Sequence, residues 1–383
     1  MKKNNIKILI STAAAVAVVI IVLAVVLAGK GDSEEAAETT AAAVETEETT
    51  EETTEETTAE ETTEEETETT DDGNYVMNPL TGQYTLPEDA EGNRPVAVTV
   101  NNIKASLPQY GTSEADIVFE IPVEGYLTRL ICIYPDYESV PYIISVRSYR
   151  YYFLPLTLCF DAIYIHWGQD NSMMDYYYSF DMDSYNGMWN SYLFGRDKER
   201  VSAGYATEHT SCFYGSLLAE QMESDGVRTT LADGYEGAVF NFNSEDELVV
   251  YSEESAETVD INFGGNTAKL VYDEETGTYL KYSSGIEQID ATTGEQLSYT
   301  NVFVLEASMS WRTDKTNRLA IDLTDITNGA GYYITAGGAQ KITWTKGDEY
   351  SQFEFYDTDG NELELNCGKT YIAITRSGTY SFE

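Results

Sequence analysis

The sequence predicts an α+β fold: a mixed β-sheet N-terminal domain packed against a strand-rich C-terminal domain, behind a transmembrane helix and a disordered acidic spacer. Three observations carry this expectation. Short segments rich in Val, Ile, Tyr and Phe recur from Val96 to Ile374, with glycine and asparagine turn signals between several of them. Helical spacing shows from Glu208 to Glu223, where Phe213, Leu217, Leu218 and Met222 share one face. The charge is uneven, with 66 Asp and Glu against 22 Lys and Arg for a net −44, while 42% of residues are hydrophobic. Gly31–Gly73 holds −19 of that charge and the part from Asn74 onward −29.

The elements follow in order. Lys2, Lys3 and Lys7 precede an apolar run of 21 residues, Ile8 to Ala28, which as a helix is roughly 30 Å long and spans a hydrocarbon core. Residues 1–30 are therefore expected as a cytoplasmic stub and signal-anchor, giving a single-pass cell-membrane protein with its C-terminal part outside the cytoplasm. A cleaved secretory signal is the alternative. Residues 31–73 carry 19 acidic residues, 14 Thr and no basic residue, so they cannot bury enough apolar surface to offset chain ordering. An N-terminal domain is expected over 74–234, with strands at Val96–Val100, Asp116–Glu120, Leu130–Tyr134, Tyr142–Val146 and Ala162–His166, and an aromatic helix or turn at Arg147–Leu158. A second domain over 235–383 carries strand-prone segments from Ala238–Phe242 to Lys369–Ile374. No linker separates the halves, which predicts tight packing.

The ordered set of motifs in the folded part resembles the YerB-like family, described by a domain of unknown function called DUF3048, from about Tyr75 to the C-terminus. The residues carrying the resemblance include Asn78-Pro79-Leu80-Thr81-Gly82, Arg94-Pro95-Val96-Ala97-Val98, Ala115–Glu120, Val146–Arg150 and Phe160–His166. In the second half they are Tyr272-Asp273, Thr293-Gly294-Glu295, Asn301-Val302 and Phe355-Tyr356. The resemblance implies a surface-associated extracytoplasmic protein with paired domains and transfers no reaction. Many relatives look like lipoproteins, whereas the first cysteine here is Cys132, so N-terminal lipid attachment is not expected.

The arginines are the candidates for binding. Arg129, Arg147 and Arg150 offer fixed donor forks for carboxylate, phosphate or anionic glycan; pairing of Arg129 or Arg147 with Glu120 or Glu124 is the structural alternative. Arg196 and Arg200, four apart, are expected on one helix face. Tyr176, Tyr177 and Tyr178 lie in an aromatic stretch, Trp167 to Tyr192, that suits recognition or a satellite core. His166, Glu120 and Glu124 are the weak catalytic candidates, with a buried, hydrogen-bonded His166 as the ordinary reading. His209, near Thr207 and Thr210, reads as local support with a threonine cap. Cys132 and Cys159 read as buried thiols, and a Cys212–Cys367 bridge stays open.

No P-loop, GxSxG, HExxH or dinucleotide fingerprint occurs, so no cofactor and no metal site is expected. The acidic surface argues against nucleic acid. The primary expectation is an envelope binding or scaffold protein whose partner is a cell-wall glycan, a peptide or another envelope protein. The alternative is a hydrolase acting on a carbohydrate or anionic envelope component.

Overall fold

Strands that are apolar at nearly every position need cover on both faces. Val96–Asn101, Ile117–Pro122, Thr128–Tyr134 and Thr370–Thr375 are buried along their whole length, and they form the middle of an eleven-stranded sheet. In the computed structural model, residues 74–233, 235, 240–251 and 254–383 are described. Side chains alternate between two cores. Ala97, Ile117, Phe119, Ile131 and Ile372 enter one, and Val96, Val98, Val118, Cys132 and Ala373 enter the other.

The sheet does not stop between the halves of the sequence. Its order runs Glu254–Ser255, Gly338–Lys346, Ile326–Thr335, Asn301–Glu306, Thr370–Thr375, Ile117–Pro122, Thr128–Tyr134, Val96–Asn101, Ile163–His166 and Ser184–Asn186, with Glu354–Tyr356 paired to Gly338–Lys346. The junction is a parallel ladder in which Thr370 lies opposite Ile117 and Ala373 opposite Glu120. A six-stranded sheet, which includes Thr258–Asn262, Thr267–Asp273 and Thr278–Ser283, contributes to the second core. Asp273 caps the Glu275-Thr276-Gly277 turn, with the positive φ of Gly277 supplying the left-handed residue. A small sheet of Tyr142–Ile144, Ser211–Tyr214 and Phe194–Arg196 brings residues 194–214 beside the Val96–Asn101 strand.

An α+β architecture with a mixed-sheet N-terminal part and a strand-rich C-terminal part fits this arrangement. The transmembrane helix placed before it is a correction. No helix of the described residues is long and apolar enough to cross a membrane, and the architecture is stated without that helix, its signal-anchor topology or the single-pass location built on it. Both the 8–28 run and the 31–73 spacer lie outside the described residues. The Glu208–Glu223 helix is also corrected. Phe213 sits in the Ser211–Tyr214 strand, and the α-helix is Leu218–Asp225, closed by Gly226 in the left-handed conformation. Arg196 ends a strand while Arg200 lies in the Lys198–Ser202 helix, because Asp197 caps that helix by accepting from Arg200 N at 2.7 Å. All four cysteines are free thiols, so the Cys212–Cys367 bridge is not formed.

Candidate functional site

Charges in the folded part fall into matched and unmatched groups. Arg150 is matched: its Nε donates to Glu124 Oε1 at 3.0 Å and its Nη2 to Oε2 at 2.5 Å, a two-bond fork. Glu120 is matched more deeply. Lys281 Nζ lies 2.9 Å from Glu120 Oε2, both side chains are fully buried, and Tyr371 Oη donates to the same oxygen at 2.8 Å. Asn102 and Thr128 donate to Oε1, and Gln288 accepts from Lys281 at 2.7 Å. Every charge there has a partner, and none is open to a ligand.

Arg129, Arg147, Arg196 and Arg200 have no carboxylate within ion-pair reach among the described residues. Pairing of Arg129 with Glu120 is precluded by strand alternation, since Glu120 shares a face with Val118 and Arg129 shares the opposite one with Ile131. Arg129 instead donates from Nη1 to Ser148 O. Burial, then the neighbouring Arg150 and Arg147 charges, lower its pKa to about 9.

The other three are gathered by one short turn, Thr207–His209. Arg196 Nη1 donates to Thr207 O at 2.7 Å, Arg147 Nη1 to Glu208 O at 3.0 Å and Arg200 Nη1 to His209 O at 2.9 Å. Three successive carbonyls thus orient three guanidinium groups without cancelling their charge. Arg200 is packed away, its guanidinium over the rings of Tyr110 and Tyr205. Arg147 and Arg196 line an open cleft of about 440 Å³. Arg147 Nε is a buried donor with no partner.

Much of the cleft's wall comes from the Trp167–Trp189 stretch, facing Val146–Ser148, Arg196, Glu208 and Ser211. Arg196 stacks 4.3 Å over the Trp167 ring. That ring needs Gly187 beside it, since a Cβ there would stand 2.5 Å from Trp167 Cε3. Asn186 staples the loops: its Oδ1 accepts from Gly168 N and Met188 N at 2.9 Å each, and its Nδ2 donates to Gln169 Oε1 at 2.9 Å. Trp189 is 82% exposed on the rim, with Met188 beside it in sequence and also lining the cleft.

The remaining predicted residues sit elsewhere. His166 is buried, its Nδ1 donates to Gly168 O at 2.9 Å, and its ring meets Tyr149 edge-on at 4.4 Å. Burial lowers its pKa to about 4, so it is neutral at pH 7. It shares a face with Tyr164 and lies opposite in facing to Glu120, so these two do not converge in a cleft. His209 Nδ1 accepts from Asn101 Nδ2 at 3.1 Å, and Thr210 donates to Thr207 O rather than capping a helix. Tyr176 donates to Glu349 at 2.6 Å, Tyr177 packs against Tyr149 and Tyr178 is exposed; none of the three lines the arginine cleft. Asn186 and Glu208, which position or line the cleft, carry no signal in sequence reasoning, because their roles depend on loop register. Among the described residues no group of three His, Cys, Asp or Glu is placed to hold a metal.

A two-part α+β protein with one sheet shared between its parts, and an arginine-lined cleft in the N-terminal part, is the class this geometry defines. The models for the N-terminal and C-terminal domains of the protein of unknown function DUF3048 match residues 80–228 and 259–372. The chain belongs to this YerB-like, DUF3048 family. It is 30% identical over 308 residues to the putative lipoprotein YerB of Bacillus subtilis (strain 168), covering 77% of this chain and 85% of that protein. The crystal structure of YerB from Bacillus subtilis has a TM-score of 0.68 to this chain at 28% identity, covering 80% of this chain and 99% of that one.

Proposed function

We propose that this chain works outside the cytoplasm as a binding protein of the cell envelope, holding an anionic group in the cleft between Arg147 and Arg196. The observation that carries the reading is the missing counter-ion. In a chain of net charge −44, these two arginines and the buried Arg129 behind Arg147 are oriented by carbonyls and meet no carboxylate at ion-pair distance. Among the described residues Glu208 is the one carboxylate lining the cleft, and it forms no ion pair with Arg147 or Arg196, which leaves their guanidinium groups to a ligand. The lipoprotein description of the Bacillus relative supports the location. Nothing in the site favours a hydrolase, since Glu120 is sealed under Lys281 and His166 is packed against tyrosines.

The test is capture of envelope fractions by the purified chain. Retention of an anionic fraction that falls at least tenfold in Arg147→Gln is the expected result. Retention indifferent to Arg147→Gln and Arg196→Gln together would overturn the reading.

A further inference from the structure

The lining of the cleft says more about the ligand than its sign. Arg147, Arg196 and Glu208 are its ionisable residues, for a net charge of +1. A ligand carrying one negative charge is matched there, whereas a doubly charged phosphate is left with excess charge beside Glu208. Nη1 of Arg147 donates to Glu208 O while Nε is buried without a partner, so the planar guanidinium is held by a neutral carbonyl and keeps donor capacity for a carboxylate.

Beside this charge stands a large flat surface with no partner. Trp189 makes no ring or cation contact with another described side chain and is 82% exposed, whereas the Trp167 ring is covered by Arg196 and edged by Phe194. An unpartnered indole on the rim of a cleft suits a ring that offers it an apolar face. The other polar groups are of a hydroxyl-binding kind. Asn171 supplies an amide, and the Glu208 carboxylate supplies an acceptor that would repel a second acid but takes a hydroxyl donor. The volume, about 440 Å³, falls in the range of small-ligand sites.

An extended peptide fits less well. Strand addition needs an open sheet edge, and the edge next to the cleft is the three-residue Ser184–Asn186 strand, whose last residue spends its side chain on Gly168, Met188 and Gln169.

Resting on the anion-binding reading, we propose that the ligand is an acidic sugar, a ring bearing a single carboxylate. The carboxylate sits at the Arg147 guanidinium with Arg196 beside it, the ring face lies on Trp189, and the hydroxyls meet Asn171 and Glu208.

The experiment titrates the purified chain by calorimetry with four probes: a glucuronic acid trisaccharide, its neutral methyl ester, inorganic phosphate and an acidic dipeptide. Saturable binding of the free acid, at least tenfold weaker for the ester and for Trp189→Ala, with weaker binding of phosphate and dipeptide, is expected. Trp189 is exposed, so its loss leaves the fold intact, and circular dichroism of the variant checks that. Equal binding of phosphate or dipeptide with no effect of Trp189→Ala overturns the sugar assignment but leaves the anion-binding reading standing, provided that Arg147→Gln abolishes it. Binding of the ester as tight as the acid, or of no probe at all, also overturns the sugar assignment. The wider reading then stands or falls on whether envelope capture needs Arg147 and Arg196.

Discussion

The Glu120–Lys281 cluster and the Arg147–Arg196 cleft lie on the two sides of one story about buried charge. In the first, a carboxylate and an ammonium are fully buried, and both are surrounded by hydrogen-bond partners drawn from four separated stretches of chain. In the second, guanidinium groups are equally well fixed but by neutral carbonyls, and with Glu208 as the one carboxylate lining the cleft their charge is only partly offset. The difference separates charge matched inside the architecture from charge left available at an open cleft, which is what the binding proposal rests on. An isolated motif search cannot separate the two, because Glu120 and Arg147 are equally conspicuous in sequence.

The comparison breaks if both clusters respond alike to substitution. The largest effect is expected at Lys281→Met, which leaves Glu120 buried and unpaired at a cost of about 3–5 kcal/mol, read from urea unfolding. Adding Glu120→Gln should return part of that loss. A loss below about 1 kcal/mol for Lys281→Met would mean that the pair does not lock the sheets.

The next effects concern buried groups that stand without an ion-pair partner inside the matched architecture. Asp116, bonded by Asn78 at 2.8 Å, has its pKa raised to about 6, first by burial. Its contribution to stability is present below its unfolded value, near 3.8, and is lost as pH rises through about 6. His166 has the opposite sign: depressed to about 4 by burial, it contributes stability above its unfolded value near 6.5 that is lost as pH falls through about 4. Each is of the order of 3 kcal/mol, and over the shared window they oppose one another. Asp116→Asn should therefore make stability rise more steeply with pH between pH 4 and 6, and His166→Asn should make it fall, in denaturation series. Unchanged slopes in both would remove these assignments.

Arg147→Gln should lower ligand capture by tenfold or more, about 1.4 kcal/mol, with less than about 1 kcal/mol change in stability. Arg150→Gln should show the reverse, a stability loss of about 1 kcal/mol with capture largely kept, since Glu124 is its partner. Capture should weaken as salt rises, because the cleft is open to solvent. The smallest expected change is in the stability of Trp189→Ala, within about 0.5 kcal/mol.

Much of this was readable in the residues. Val96–Val100, Leu130–Tyr134 and Lys369–Ile374 announce strands through β-branched and aromatic runs, and Trp167 to Tyr192 announces an aromatic surface. The arginines were found, but their sorting was not, because partners such as Glu124 and the Thr207–His209 carbonyls are set by tertiary placement. The Glu208–Glu223 interval misled since Phe213, Leu217 and Leu218 have helical spacing, yet pairing of Ser211–Tyr214 on two sides outweighs that local preference. Lys281, Gln288 and Asn102 were silent, because nothing local distinguishes a polar residue that will be fully buried.

The parallel ladder between Ile117–Pro122 and Thr370–Thr375 carries a consequence for biosynthesis. Glu120 and Tyr371, joined across it, are 251 residues apart. The N-terminal strands emerge first from the ribosome, but one edge of their sheet stays open until Thr370–Thr375 arrives. Such distant pairing slows folding and exposes a strand edge meanwhile. A chain cut short before Thr370 keeps its arginine cleft in sequence and loses the strand that pairs with Ile117–Pro122, so Thr370–Thr375 acts as the fastener of the N-terminal half.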